Sequence, residues 1–264
     1  MFLIFTDLDG TLLDHNTYSW EPARDMIRLL RETATPWIFT TSKTRAEVLW
    51  WREQMGNTHP FIVENGGAAF FPAGGIQPAE DQGIELEGFR VLEWGTRYPK
   101  LLEALRVASR GSDCPVLGFS QMTVEEVAGT CGLPEGQALL AKRREYDEPF
   151  QVLREGCDES LVREIEQQGL RWTRGGRFWH ICGDSDKARA VEAVTQIYRR
   201  EQGSITTIGL GDSFNDLPFL AKTDIAVVIR SKHSTQLMKQ LPGARLTPQS
   251  GPAGWAQALR SILP

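Results

Sequence analysis

Short apolar runs alternate with amphipathic segments over the first 70 residues of the chain. The apolar runs at 1–5, 37–41 and 61–63 predict three buried strands, since each is short and is soon followed by polar residues or glycine. Between them, apolar residues recur at helical spacing in segments 19–30 and 44–55. Strands that alternate with helices are typical of a parallel sheet with crossover helices.

Two acidic residues stand where the first predicted strand ends. Asp7 and Asp9 follow the apolar run, and Gly10 then allows a sharp backbone turn. In open parallel α/β sheets, ligands bind at the carboxyl ends of the strands. Neighbouring carboxylates at such an end suit a hard cation such as Mg²⁺ and covalent aspartyl chemistry.

The pattern changes in the middle of the chain. Segment 73–83 is rich in Gly, Pro, Gln and acidic residues, which predicts a linker. Beyond it the sequence predicts a helix at 101–107 and strands at 150–153 and 170–173. The run Arg174-Gly175-Gly176-Arg177 then favours a tight hairpin. This mixture predicts an inserted α+β domain.

The alternation of strands and helices returns in the last third of the chain. Helical spacing predicts a helix at 187–203 and a closing helix at 252–263. Apolar runs predict strands at 205–210 and 225–229, and the first of these ends in Gly211-Asp212-Ser213-Phe214-Asn215-Asp216. The predicted fold class is therefore α/β, with a mostly parallel sheet. Its core comprises two stretches that flank an inserted domain: residues 1–82 and 184–264 form the core and 83–183 the insertion.

Composition narrows the class of protein. The 264 residues are 41% hydrophobic and 24% charged, as in ordinary soluble proteins, and the net charge of −5 argues against nucleic acid as a partner. No apolar run approaches the roughly 20 residues of a membrane span, and the first acid comes too early for a signal peptide. The four cysteines are scattered, without a CxxC pair, and we expect reduced thiols in a cytoplasmic protein.

Polar groups at several predicted strand and helix ends should converge on one edge of the sheet. These groups are the two acids Asp7 and Asp9, the hydroxyls of Thr41 and Ser42, the amine of Lys187, and the acidic segment 212–216. Together they supply acids for a metal, donors for an oxyanion and one fixed positive charge. That inventory matches phosphoryl transfer, where catalysis is mostly positioning and charge stabilisation.

These motifs, in this order, resemble the haloacid dehalogenase (HAD) superfamily of phosphatases. The motifs in question are Asp7-Leu8-Asp9-Gly10-Thr11, Thr41-Ser42, Lys187 and Gly211–Asp216. Their spacing leaves room for the large cap of the Cof-like branch, so the resemblance implies a Rossmann-like core with an inserted α+β cap of the C2B type. Further motifs resemble the mannosyl-3-phosphoglycerate phosphatases: Thr41–Glu47, Phe61–Gly67, Ala141–Tyr146 and Arg174–Phe178.

The resemblance implies a role for each core residue. Asp7 would be the nucleophile, and Asp9 the general acid and then the general base. Thr41 and Lys187 would hold the phosphoryl oxygens. The implied Mg²⁺ ligands are Asp7, the main-chain carbonyl of Asp9, Asp212, Asn215 and Asp216.

The same resemblance implies a phosphorylated sugar acid as substrate. Arg144 and Arg174 are candidates for its carboxylate, with Ser42 and Lys43 on the core side, and Glu148 is a candidate for the sugar hydroxyls. Other interpretations stay open for the cap residues. Arg144 belongs to a basic run that would also suit a solvated helix face, and Arg174 would also suit a hairpin.

The implied reaction is Mg²⁺-dependent hydrolysis of mannosyl-3-phosphoglycerate to mannosylglycerate, a compatible solute. Rival hypotheses are a glucosyl-3-phosphoglycerate or other sugar-phosphate phosphatase, and a phosphotransferase or mutase of the same superfamily. A phospho-ligand-binding protein without catalysis is a further rival, against which the intact pair Asp7 and Asp9 argues. The sequence does not distinguish mannose from glucose, and it leaves the oligomeric state open.

Overall fold

The structure is a computed structural model that describes residues 1–174 and 178–264. Its strands are β1 (Phe2–Thr6), β2 (Trp37–Thr40), β3 (Phe61–Val63), β4 (Ala68–Pro72), β5 (Ile84–Leu86), β6 (Phe89–Glu93), β7 (Val116–Gly118), β8 (Asp147–Val152), β9 (Arg171–Arg174), β10 (Trp179–Cys182), β11 (Thr206–Gly211), β12 (Ile225–Val228) and β13 (Arg245–Leu246). Its α-helices are α1 (Arg24–Glu32), α2 (Arg45–Met55), α3 (Tyr98–Gly111), α4 (Val124–Cys131), α5 (Glu135–Ala141), α6 (Asp158–Gln167), α7 (Lys187–Gln202), α8 (Leu217–Leu220), α9 (Ser234–Gln240) and α10 (Gly251–Ile262). The turn predicted at 175–177 lies outside the described residues.

The chain divides into two compact units. The core unit comprises residues 1–42, 52–92 and 186–264, and the insert unit comprises residues 43–51 and 93–185. The long segment of the insert unit begins at residue 93 rather than at the predicted 83, and it ends at 185, close to the predicted 183.

The core unit is built on a mostly parallel sheet, as the sequence predicts. Within the described residues, the strand order is β13-β12-β11-β1-β2-β3-β4-β6-β5, and all pairs from β13 to β3 are parallel. β1 and β11 lie side by side at its centre, with Phe2 opposite Thr206 and Thr6 opposite Leu210. Four of the five residues of β1 are buried, as expected for a strand covered on both faces. Two segments far apart in sequence therefore end at the same edge.

Residues 83–92 extend the core sheet and do not begin the insertion. β5 and β6 form an antiparallel hairpin at the sheet edge, with Ile84 opposite Val91. The sequence gives little sign of this hairpin, because β5 is largely exposed and lacks an apolar run.

The insert unit has its own antiparallel sheet, in the order β7-β8-β10-β9. Helices α3 and α6 pack against each other and against one face of this sheet. On that face lie Phe150 of β8 and Ile181 of β10, which join the apolar core with the helices. Since side chains alternate along a strand, the residues next to them in sequence point to the opposite face.

Capping boxes begin two of the helices, and the sequence pattern Thr-x-x-Glu predicts both. The hydroxyl of Thr44 accepts a hydrogen bond from the Glu47 amide, and the Glu47 carboxylate accepts one from the Thr44 amide. Thr123 and Glu126 make the same reciprocal pair at the start of α4. Each box pairs two amides that have no partner inside the helix.

One expectation about the cysteines is wrong. Cys114 and Cys157 form a disulfide across a separation of 43 residues, and Cys131 and Cys182 are not part of it. The packing of α3 against α6 brings the segments that carry the two cysteines together, which their spacing in sequence does not reveal. Among the described residues, no helix is both long and apolar enough to cross a membrane.

Candidate active site

Three carboxylates meet at the carboxyl ends of two adjacent core strands. Asp7 directly follows β1, while Asp212 and Asp216 follow β11. The Asp7 amide donates to the Leu210 carbonyl, which keeps the two strands in register to their ends. One carboxylate oxygen from each of the three acids lies within 4.8 Å of the others. The convergence predicted for these residues is therefore present.

Lys187 provides the positive charge among these acids. It is the first residue of α7 and is only 3% exposed. Its Nζ donates to Asp7 Oδ1 at 3.0 Å and to Asp216 Oδ1 at 2.7 Å. The lysine thus bridges the ends of β1 and β11.

Two glycines allow these groups to come close. Gly10 has a positive φ of 75°, and a Cβ there would lie 2.7 Å from the Asp212 carboxylate. Gly66 has a φ of 90°, and a Cβ there would lie 2.3 Å from the main-chain oxygen of Asp186, next to Lys187. Any side chain at either position would push these groups apart.

Hydrogen bonds from nearby residues fix the two acids after β11. Asp216 Oδ2 accepts from the amides of Asp212 and Ser213, both at 3.1 Å. Thr11 donates its hydroxyl to Asp212 Oδ1 at 3.3 Å, and Ser231 donates to the Asp212 carbonyl at 2.6 Å. The sequence analysis did not assign roles to Thr11 and Ser231. The role of Thr11 could have been predicted, because Thr11 belongs to the first motif. Ser231 belongs to no motif, so the sequence gives no sign of its role.

Burial and mutual repulsion make the negative charge of this cluster costly. Burial and the neighbouring Asp216 raise the pKa of Asp7 well above its usual range, although Lys187 opposes the shift. The same two causes raise the pKa of Asp212 to about 7, against the hydrogen bond from Thr11. The pKa of Lys187 is raised, because the attraction of Asp216 and Asp7 outweighs its desolvation. One lysine does not balance three carboxylates, so a further cation would stabilise the cluster.

The donor set fits Mg²⁺. Its ligand atoms would be the carboxylate oxygens of Asp7, Asp212 and Asp216, and hard oxygen donors are those that Mg²⁺ prefers. Asn215 is exposed and donates to the side chain of Asn65 at 3.2 Å, while Asp9 is half-buried between β1 and the turn that follows. Ligation by Asp9 and Asn215 stays a prediction.

Thr41 and Ser42 follow β2, the parallel neighbour of β1. Thr41 is fully buried; its amide donates to Ile62, and its carbonyl accepts from the Asn65 amide. Ser42 is half-buried. Both residues lie at the same edge of the sheet as the acids, and their contact with substrate stays a prediction.

The remaining candidates belong to the insert unit. Two of them, Lys43 and Arg144, lie close to acidic side chains of that unit. Lys43 is buried and forms an ion pair with Glu47 at 3.2 Å. The charges of Lys43 and Arg144 hold the pKa of Glu47 below its usual range, despite the opposing effect of burial. The charge of Arg144, with that of His180, also lowers the pKa of Asp147. In Glu148 the charge of Arg144 opposes the effect of burial, and burial prevails, so the pKa is raised. The guanidinium of Arg144 therefore lies amid three acidic side chains.

The surroundings of Glu148 favour a structural role. It is fully buried and accepts hydrogen bonds from Tyr98 Oη at 2.7 Å and from the amide and hydroxyl of Ser120 at 2.9 and 2.7 Å. Its register partner is Ile181, so its side chain lies on the face that the helices cover. Its predicted contact with sugar hydroxyls stays a prediction, and this geometry does not favour it.

Arg174 is exposed at the end of β9, with its guanidinium 4.7 Å from the centre of the Trp179 ring. Sequence analysis missed a different pair in the same sheet. His180 Nδ1 lies 2.9 Å from Asp147 Oδ1, and the carboxylate of Asp147 is almost completely buried. Neither residue belongs to a recognisable motif, and only the strand register brings them together.

The comparisons with known proteins agree with this architecture. Residues 4–80 match the haloacid dehalogenase-like hydrolase family. The chain is 40% identical over 265 aligned positions to a glucosyl-3-phosphoglycerate/mannosyl-3-phosphoglycerate phosphatase of Methanococcoides burtonii, covering 99% of this chain and 97% of the relative. It is 36% identical to the mannosyl-3-phosphoglycerate phosphatase of Pyrococcus horikoshii, over 88% of this chain and 92% of the relative.

A solved structure supports the fold separately. A phosphatase of the haloalkanoate (HAD) enzyme superfamily from Bacteroides thetaiotaomicron superposes with a TM-score of 0.69 at 17% identity, covering 99% of this chain and 95% of that one. The likeness in sequence extends over nearly the whole chain, insert unit included. The chain therefore belongs to the family of haloacid dehalogenase-like hydrolases.

Proposed function

We propose that this phosphatase hydrolyses the phosphate ester of mannosyl-3-phosphoglycerate, with Mg²⁺, to give mannosylglycerate and inorganic phosphate. The observation that carries the proposal is the buried cluster of Asp7, Asp212, Asp216 and Lys187 at the ends of β1 and β11. The named activity of relatives that align over almost the whole chain supports the choice of substrate.

Asp7 is the proposed nucleophile. One of its carboxylate oxygens attacks phosphorus, a new O–P bond forms, and the bond from phosphorus to the glycerate oxygen breaks. Lys187 holds the Asp7 carboxylate at 3.0 Å, which restricts its orientation. The product of this step is an aspartyl phosphate on Asp7.

Asp9 is the proposed acid and base. In the first step it donates a proton to the glycerate oxygen, which would otherwise leave as a strongly basic alkoxide. In the second step it takes a proton from a water molecule, whose oxygen attacks phosphorus and breaks the bond to Asp7. Phosphate departs, and both carboxyl groups return to their starting states.

Charge at the phosphoryl group is balanced by fixed positive groups. Lys187 and the hydroxyl of Thr41 are proposed to contact its oxygens, and Ser42 lies next along the chain. Mg²⁺ would reduce the repulsion between the phosphate and the nucleophile. Its proposed ligands are Asp7, Asp212 and Asp216, with the main-chain carbonyl of Asp9 and Asn215 as further candidates.

The insert unit is proposed to recognise the rest of the substrate. Arg144 is the proposed partner of the glycerate carboxylate, because a guanidinium can bind a carboxylate through two parallel hydrogen bonds. Lys43 and Arg174 are alternative sources of positive charge. Both are engaged in the structure, Lys43 by Glu47 and Arg174 by the Trp179 ring.

A second substrate, glucosyl-3-phosphoglycerate, has support from a specific observation. The relative with 40% identity is named for activity on both glycosyl-3-phosphoglycerates. The two substrates differ in the orientation of one sugar hydroxyl, so one site can accept both when it makes no strong contact with that hydroxyl.

The test is phosphate release from each of the two glycosyl-3-phosphoglycerates, with and without Mg²⁺, by wild type and Asp7→Asn. We expect Mg²⁺-dependent release by wild type from at least the mannosyl substrate, and none by the variant. Absence of turnover of both substrates by the Mg²⁺-supplied wild type would refute the proposal.

A further inference from the structure

We propose that His180 is a specificity-determining residue that forms a hydrogen bond through Nε2 with a hydroxyl group of the substrate's glycosyl unit, with Asp147 fixing the orientation of its ring. This inference rests on the proposed function, because it concerns recognition of the same substrate. It adds two residues that the motifs do not include.

The strand register places the pair on the sheet face opposite α3 and α6. In β8 and β10, Asp147 lies opposite Cys182 and His180 lies opposite Pro149, so these side chains share one face. The alternate residues, including Phe150 and Ile181, face the apolar core formed with α3 and α6. Helices α4 and α5 pack at the β7 end of the face that carries the pair, where Leu117 joins their apolar core, whereas His180 lies on the other side of β8 and pairs with β9.

The accessible part of this face is polar. Thr173 of β9 lies directly opposite His180 and is exposed, and Arg171, two residues earlier, is exposed as well. The imidazole of His180 is about one fifth exposed, whereas the Asp147 carboxylate is only 2% exposed. The ring thus has one side anchored in the protein and remains within reach of a ligand.

The anchoring carboxylate determines what the ring can bind. Asp147 lies 2.9 and 3.1 Å from Nδ1 through its two oxygens, so Nδ1 carries the hydrogen and donates it. The charges of His180 and Arg144 overcome the effect of burial and lower the pKa of Asp147, which keeps this partner ionised. Nε2 is then the ring nitrogen left for a ligand, as an acceptor in the neutral ring and as a donor in the charged one.

A hydroxyl suits Nε2 in either protonation state of the ring. It donates to the nitrogen of the neutral ring and accepts from the N–H of the charged ring, whereas a carboxylate or phosphate can bind only the charged ring. We therefore assign the anionic end of the glyceryl group to Arg144 and the glycosyl end to His180.

Two replacements of His180 separate substrate contact from a structural role. Asparagine can keep a donor near the position of Nδ1 and so retain Asp147 as partner, but it has no group at the position of Nε2. Glutamine can place a polar atom near Nε2 and loses the donor at Nδ1. The matched control is Arg171→Gln, which removes a positive charge and its exposed ion pair with Asp184 from the same face, two residues from the register partner of His180.

The measurements are KM and kcat for both glycosyl-3-phosphoglycerates, the inhibition constant of inorganic phosphate, and the melting temperature. For His180→Asn we expect a KM about tenfold higher, with kcat, phosphate inhibition and melting temperature close to wild type. For His180→Gln we expect a smaller rise in KM together with a lower melting temperature. Arg171→Gln should behave as wild type in all four.

Three results would overturn the inference. They are an unchanged KM in His180→Asn, an equal rise in KM and in the phosphate inhibition constant, and a rise in KM that only accompanies a lower melting temperature. If the wild type fails to turn over either substrate, the proposed function fails. If wild type is active and His180→Asn matches it, only the role of His180 fails.

Discussion

The acid cluster at the core strand ends and two paired acids of the insert unit, Glu47 and Asp147, have opposite electrostatic situations. At the core strand ends, Asp7, Asp212 and Asp216 lie around the cation Lys187, and burial with mutual repulsion raises the pKa values of the first two. In the insert unit, Glu47 has Lys43 and Asp147 has His180, and the pKa values of both acids are lowered.

The difference separates two tasks of a catalytic protein. A buried site with excess negative charge is unstable alone and becomes favourable when a cation and then a phosphoryl group are present. A site whose charges are already paired is stable alone and holds its side chains in fixed orientations. The contrast supports the proposed division between chemistry in the core unit and recognition in the insert unit.

The largest effect is expected for Asp7→Asn. Loss of the nucleophile should lower kcat by at least about 10⁴-fold on every substrate. In Mg²⁺-free buffer the same variant should melt a few degrees higher than wild type, because one of the repelling carboxylates is gone. Steady-state kinetics and thermal melting measure the two effects, and a variant that melts lower without Mg²⁺ would contradict the account of repulsion.

Asp9→Asn is expected to separate proton transfer from metal binding. Loss of the acid and base should lower kcat about 10²- to 10⁴-fold, because the leaving oxygen then departs unprotonated. Mg²⁺ should still raise the melting temperature of the variant. An unchanged kcat would remove Asp9 from the proposed role.

Reduction of the disulfide should affect the insert unit. Breaking the bond between Cys114 and Cys157 releases a constraint on a long loop and should lower the free energy of unfolding by about 2–4 kcal/mol. Denaturant unfolding with and without dithiothreitol measures it, and Cys157→Ser is the variant that should not respond to the reductant. Alkylation of the unfolded, unreduced protein should modify two cysteines; four modified cysteines would contradict the disulfide.

Arg144→Ala should have the smallest effect, and only on recognition. We expect KM for the glycosyl-3-phosphoglycerates to rise about tenfold or more, since a bidentate contact with the carboxylate is lost. The inhibition constant of inorganic phosphate, which concerns the core unit, should change little. An equal rise in both constants would show that Arg144 does not act at the carboxylate.

The sequence predicts the core unit well for a physical reason. Its functional residues stand directly after apolar runs, so the rule that parallel strands end at one edge already places Asp7 near Asp212. Lys187 begins a helix whose apolar spacing is plain, and its position is confirmed. These are local signals, each within a few residues of the group it positions.

The insert unit shows where such reasoning stops. Asp147 and Glu148 are neighbours on β8, and which of them points toward the helices depends on strand register, which no local pattern reveals. The sequence analysis selected Glu148, which the structure places under α3, and missed Asp147 and its partner His180. The disulfide was missed likewise, since helix packing rather than spacing brings its halves together.

The contrast between the two units can be tested directly by calorimetric titration of Mg²⁺ into wild type, Asp212→Asn and Glu47→Gln. Both variants neutralise one acid. Asp212 belongs to the cluster in which the acids outnumber Lys187, and Glu47 belongs to a paired site. We predict one Mg²⁺ per chain for wild type, an affinity about a hundredfold lower for Asp212→Asn, and wild-type affinity for Glu47→Gln. Wild-type affinity in Asp212→Asn, or an equal loss in both variants, would contradict the account.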